Sequence, residues 1–269
     1  MFMHFGELAL STLYPLLFQS MFSQIDLLFS STPLEGPEQM ALDEILLYQL
    51  QKPLLRVYQW KVPCITFGYF QKWTSVQQAF PKSSLIRRWT GGGCVEHESD
   101  LTFSLIVPVS EPTGTMAPSR FYQLLHEAIV EVLREHHVMA RLTTHGEIKE
   151  GEACFNAPRL HDVLLGETKI AGGAQRRSGG SLLHQGSLNF GASQPRFPSS
   201  AAAAVSPASS LQPPASIRPV DRIVKSIFSS LASQLSPEVS LIEEKKEWLE
   251  AAFNLGRNRY RSVEWQERR

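Results

Sequence analysis

The chain has 269 residues, 43% hydrophobic and 19% charged, with 26 Lys+Arg balanced by 26 Asp+Glu. A formal net charge of zero argues against a protein whose main work is neutralising nucleic-acid phosphates, and the length allows one large domain or two modest ones. Three widely spaced cysteines, Cys64, Cys94 and Cys154, make neither a disulfide framework nor a C-x-x-C metal motif.

Residues 1–22 are apolar but contain no Lys or Arg, the first being Lys52, so the basic region of a signal peptide is missing. Gly6, Glu7 and Pro15 break the run, which is too short to span a bilayer. It is read as a disordered leader or a mis-assigned start, with Met21 equally able to begin the chain. Residues 23–269 are expected to form a single domain, cytoplasmic and without membrane contact.

Gly36-Pro37 followed by EQMALDEILLYQLQ predicts a helix with Pro in its first turn and Ala41, Leu42, Ile45 and Leu46 on one face. LLRVYQW (54–60), CITFGY (64–69) and SLIRRW (84–89) have strand character. In LTFSLIV, Leu101, Phe103, Leu105 and Val107 alternate with smaller or polar residues, which predicts a half-buried strand. From Pro118 to about His137 the period becomes helical, with Phe121, Leu125, Ile129 and Val132 among its apolar stripe.

Short strands then run to Phe190, followed by a Ser/Ala/Pro-rich stretch at 191–219 that carries almost no charge and is expected as a mobile loop. Val220–Leu231 and Leu241–Ala252 predict two further helices, and the chain ends in the basic tail GRNRYRSVEWQERR. This order of elements predicts an α+β domain, a mixed β-sheet flanked by helices.

Two glycine clusters carry the chemistry. RRWTGGGCVEH (87–97) places three glycines after a strand, where absent side chains let a ligand lie against backbone N–H groups. It has neither P-loop nor dinucleotide-fold spacing, and Cys94 with His97 supplies only two of four metal ligands. Arg87 and Arg88 beside it, ordinarily a solvated charge pair, are placed to orient an anionic ligand. TKIAGGAQRR (168–177) sets Lys169 before a second Gly-Gly pair, where an ammonium can stabilise developing negative charge. SLLHQGSLNF (181–190) adds His184 and Gly186, although a lone strand histidine is more often structural than catalytic.

PEQMALDEILL, LLRVYQWKVPCITFGYFQ, RRWTGGGCVEHESDLTFSLIVP and TKIAGGAQRRSGGSLLHQGSLNF, in this order, resemble the lipoyl/octanoyl transferase and lipoate–protein ligase family. That family shares its catalytic domain with biotin–protein ligases. The resemblance implies acyl transfer to a lysine of a lipoyl-carrier domain, with Lys169 at the position of the family's essential lysine. It also implies a binding site shaped by Arg88, Gly91, Gly92, Gly93, Gly172, Gly173, His184 and Gly186, and no metal.

ACFNAP around Cys154 resembles the cysteine-dependent octanoyltransferases, which take the acyl group from acyl carrier protein through a thioester and require no cofactor. HDVLL (161–165) is a partial echo of the ATP-dependent ligases, which would need ATP and Mg. A non-catalytic acyl- or carrier-binding protein is the third reading. Cys94, Gly173 and Gln185 depart from the family's usual alanine, serine and histidine.

Overall fold

In a computed structural model the described residues are 20–98, 100–145, 158–189 and 219–268. Cys154, nearly all of the N-terminal leader and the Ser/Ala/Pro stretch up to residue 218 lie outside them.

An eight-stranded mixed sheet organises the described residues, in the order β11-β1-β2-β6-β10-β9-β8-β7. Its central strands are β1 (Gln24–Phe29), β2 (Leu54–Tyr58), β6 (Leu101–Val107), β9 (Thr168–Ser178) and β10 (Ser181–Leu188). The edges are β7 (Ala140–Leu142) with β8 (Val163–Leu165), and β11 (Glu238–Ile242). A smaller sheet has the order β4-β3-β5, from β3 (Cys64–Phe67), β4 (Leu85–Arg87) and β5 (Val95–His97). No helix among the described residues is long and apolar enough to cross a membrane.

Side-chain alternation divides the large sheet between two layers. Leu55, Val57, Phe103, Leu105, Leu182 and Leu188 face α3 (Pro118–Glu135) and α4 (Pro219–Leu235), forming one apolar core. Leu54, Ile106 and Leu183 face the other way, into a core with α1 (Gly36–Gln49) and α5 (Lys246–Leu255). The alternation predicted for 101–107 is present, but its polar face is not solvated. Thr102 and Ser104 are buried as fully as their apolar neighbours, Ser104 hydrogen-bonded to Asp43 of α1 and Thr102 to Trp60 and Asp100.

The buried polar face is satisfied by one ionic network. Arg56 Nη1 donates to Asp43 Oδ1 at 2.7 Å, with both side chains fully buried. Arg56 also donates to Gln39 Oε1 and Ser30 Oγ. Asp43 Oδ2 accepts from Ser104 Oγ at 2.5 Å and from Gln185 Nε2 at 2.7 Å. A buried charge is tolerable only with such partners. α1 is thus buried almost all round rather than along one stripe, with Glu38, Gln39, Asp43 and Glu44 inside.

The folded part begins before residue 23, since Met21 and Phe22 are buried in the core. Gln24–Phe29 and the short helix α2 (Trp73–Ala79) have too few periodic residues to stand out in sequence. Leu241 and Ile242, expected in a helix, belong to β11, which pairs parallel with β1 and lends its backbone to the sheet. The basic tail is folded onto α1. Tyr260 Oη donates to Glu44 Oε2 at 2.7 Å, and Arg261 Nη2 donates to Glu38 Oε1 at 2.9 Å.

Candidate active site

A pocket of about 50 Å³ opens where the two sheets meet. Thr66, Arg88, Gly92 and His97 line it from the small-sheet side, and Lys169, Gly172, Gly173, Gln185, Gly186 and Ser187 from β9 and β10. Met40, Tyr58, Trp60 and Val95 add apolar surface. Among the described residues no cluster of three or more His, Cys, Asp or Glu is placed to hold a metal ion.

The glycine loop owes its shape to two close approaches. Gly92 has φ 86°, a conformation costly for side-chain-bearing residues. A Cβ on Gly68 would lie 1.9 Å from Gly92 O, so the loop's backbone packs directly on the chain after β3. Arg88 Nη2 donates to Gly91 O at 2.9 Å and Gly93 O at 2.8 Å, tying the carbonyls on either side of Gly92 to one guanidinium. Arg87, by contrast, is fully buried and donates to Tyr69 O, Gln71 O and Gln266 O, joining the C-terminal segment to the small sheet.

On the opposite wall, Lys169 Nζ sits 2.7 Å from Asp162 Oδ2, with both side chains nearly inaccessible. Asp162 Oδ1 accepts from Tyr122 Oη, whose oxygen accepts in turn from Gly173 N at 3.0 Å. Arg159 N donates to Asp162 Oδ2 at 2.6 Å. The preceding His161 has φ 67° and its carbonyl accepts from His126 Nδ1 at 2.6 Å, so a left-handed residue aims the carboxylate. Gly172 leaves space for the lysine, since a Cβ there would fall 2.5 Å from Lys169 Cε.

His184 is on the other face of β10. Its ring lies 6.0 Å from Phe103, 5.6 Å from Tyr122 and 5.9 Å from His126, on the side of α3. Its Nε2 occupies the space a side chain at Gly173 would need, with a Cβ there only 2.4 Å away. Burial, and then His126, hold its pKa well below the usual histidine value. Burial brings His126 down to about 4. Gln185 instead faces the pocket, where its amide joins Asp43 to Thr90 Oγ1 at 2.7 Å.

Asp162, Tyr122, Thr66, His97 and Asp100 were not singled out as site residues by sequence reasoning. The alternation of Leu182, His184, Gly186 and Leu188 was the signal that places His184 away from Gln185. Cys64 and Cys94 are both buried. Burial, and then the Asp100 carboxylate, push the Cys64 thiol up to about 12, so it is no thiolate near neutrality.

The lipoyl protein ligase A/B catalytic domain matches residues 35–253. A protein named octanoyltransferase LipM from Clostridioides difficile is 32% identical over 166 residues, covering 57% of this chain and 61% of its own. One of the same name from Moorella thermoacetica is 33% identical over 163 residues, covering 55% and 59%. The chain therefore spans about three-fifths of the length of these relatives. The bi-partite lipoate protein ligase of Thermoplasma acidophilum has a similar fold, with TM-score 0.61 and 22% identity over 91% of this chain and 97% of its own. A lipoate-protein ligase A solved with ATP gives TM-score 0.62 and 20% identity over 91% and 98%.

Proposed function

The chain belongs to the lipoyl protein ligase A/B catalytic-domain family, and on that premise we propose that it transfers an octanoyl group from acyl carrier protein to a lysine of a lipoyl-carrier domain. The observation that carries this reading is the buried Lys169–Asp162 pair in a pocket walled by two glycine segments. The relatives named octanoyltransferase support the same choice of reaction.

The apolar pocket surface suits a medium-length alkyl chain, and the paired ammonium of Lys169 suits its carbonyl end. In this reading the Cys154 thiolate attacks the carrier thioester, the new C–S bond forms, and the carrier thiolate leaves and takes up a proton. The neutral amine of the acceptor lysine then attacks the Cys154 thioester. The amide forms, the C–S bond breaks, and the amine's proton is released to solvent or to the departing thiolate. Each tetrahedral intermediate carries an oxyanion that the Lys169 ammonium stabilises. Exchange between thioesters needs no ATP, and amide formation gives the sequence its direction.

The test is octanoyl transfer to an apo lipoyl domain, read by intact mass, with octanoyl-acyl carrier protein as donor and without ATP. Acceptor acylation by the wild type and its loss in Lys169→Ala are expected. Acylation only with free lipoate, ATP and Mg would replace this reading with the ligase reaction. Binding of the acyl donor without turnover would make the protein a non-catalytic member of the family.

A further inference from the structure

A chain of buried polar groups runs beneath the pocket from the glycine loop to β10. Arg88 Nη1 is 2.7 Å from Thr66 Oγ1, Thr66 Oγ1 is 2.7 Å from His97 Nε2, and His97 Nδ1 is 2.8 Å from Asp100 Oδ2. Asp100 Oδ2 also accepts from Thr102 Oγ1 at 2.8 Å and from Ser187 Oγ at 2.5 Å. Trp60 stacks on His97 with ring centroids 4.1 Å apart and donates to Thr102 Oγ1 at 2.7 Å. Thr66, Arg88, His97, Thr102 and Asp100 are all buried.

The ends of the chain set its direction. A guanidinium can only donate and an ionised carboxylate can only accept. Asp100 Oδ2 takes the hydrogen bonds of His97, Thr102 and Ser187, the arrangement of an ionised carboxylate. Thr66 therefore accepts from Arg88 and has its own proton to give to His97 Nε2. His97 in turn gives its Nδ1 proton to Asp100. Each proton along Arg88, Thr66, His97 and Asp100 Oδ2 has one acceptor when the imidazole is neutral and protonated on Nδ1, while Asp100 Oδ1 is buried without a hydrogen-bond partner. Protonating Nε2 as well would turn two donors onto the Thr66 oxygen and leave the hydroxyl proton without this acceptor.

We propose that His97 and Thr66 are positioning residues that fix the acyl site through Arg88, a directed relay setting the guanidinium that holds Gly91 O and Gly93 O. In this proposal the relay takes no part in bond making. It determines how well the acyl donor is held, and this part rests on the transfer reaction proposed above.

Two measurements test it. The first is a long-range ¹⁵N–¹H correlation spectrum of His97 in the wild type, which requires no activity. A protonated Nδ1 with an unprotonated Nε2 is expected; protonation of Nε2, in either the neutral ring or the imidazolium, would overturn the relay. The second compares Thr66→Val with Thr66→Ser in octanoyl transfer. The valine variant is expected to raise KM for the acyl donor roughly tenfold with kcat changed less than about threefold, and serine to restore most of the loss. His97→Asn, which keeps a donor near Asp100 and loses the Nε2 acceptor, is expected to raise KM as valine does. Equal KM in Thr66→Val and Thr66→Ser, or loss confined to kcat, would contradict the proposal. Absence of turnover in the wild type would count against the transfer reaction instead, and the spectrum would still decide the relay.

Discussion

Lys169 Nζ and Asp162 Oδ2 stand 2.7 Å apart in a wall of the pocket that admits almost no solvent. Asp162→Asn leaves the ammonium buried without its opposite charge, a change that typically costs about 3–5 kcal/mol. Because Asp162 also accepts from Tyr122 and Arg159 N, the lysine loses its aim along with its partner. A fall of at least about 100-fold in kcat/KM is expected, with a lower midpoint in urea. Unchanged kinetics in a destabilised variant would mean that the pair serves only the fold.

Gly172→Ala tests the lysine's position with the carboxylate still in place. Its Cβ would meet Lys169 Cε at 2.5 Å and Nζ at 2.7 Å, the mobile end of a side chain. The lysine is expected to swing away from Asp162, with turnover down at least tenfold and a loss of stability up to about the 3–5 kcal/mol of a broken buried pair. In Gly68→Ala the obstacle is Gly92 O at 1.9 Å, which is backbone. That variant is expected to lose stability and acyl-donor binding together, as denaturant unfolding and KM would report.

Burial of His126 gives the protein an acid limb. Its folded pKa of about 4 lies below the ordinary histidine value of 6.5, so the unfolded chain binds the proton first as pH falls. Stability is expected to be flat above about pH 6.5 and to decline between about pH 6.5 and 4, by on the order of 3 kcal/mol from this residue. His184 is displaced in the same direction and adds to the slope. Urea unfolding at pH 5 and pH 7 should show the difference, and His126→Gln should reduce it. A slope untouched by that substitution would assign the limb elsewhere.

Gln185 is central to the α1-facing network. Its amide donates to Asp43 Oδ2 and accepts from Thr90 Oγ1, both at 2.7 Å. Gln185→Leu strands a buried hydroxyl and removes one donor from a buried carboxylate, at an expected cost of about 2–3 kcal/mol. Calorimetric unfolding would check it, and an unchanged midpoint would show that Ser104 and Arg56 alone satisfy Asp43.

The glycine triplet could equally have been a tight hairpin in sequence; in the structure Gly92 lines one cavity with Gly172 and Gly173. Lys169 was legible from the Gly-Gly pair that follows it. Its carboxylate was not. Asp162 reads as an ordinary turn residue, and Tyr122 as one more position of an amphipathic helix; only folding puts them on one lysine. β6 was read as a half-buried strand because nothing in LTFSLIV tells that Asp43 of α1, Trp60 and Asp100 cover its polar face. Local periodicity records which side chains share a face, while the partner of that face is fixed by contacts far apart in sequence.

The central claim is transfer through Cys154, and intact mass after incubation with octanoyl-acyl carrier protein tests it most directly. The wild type is expected to carry one octanoyl group that hydroxylamine removes, and Cys154→Ser to carry none. An adduct of equal yield on Cys154→Ser, or no adduct on a wild type that still acylates the lipoyl domain, would contradict the thioester route.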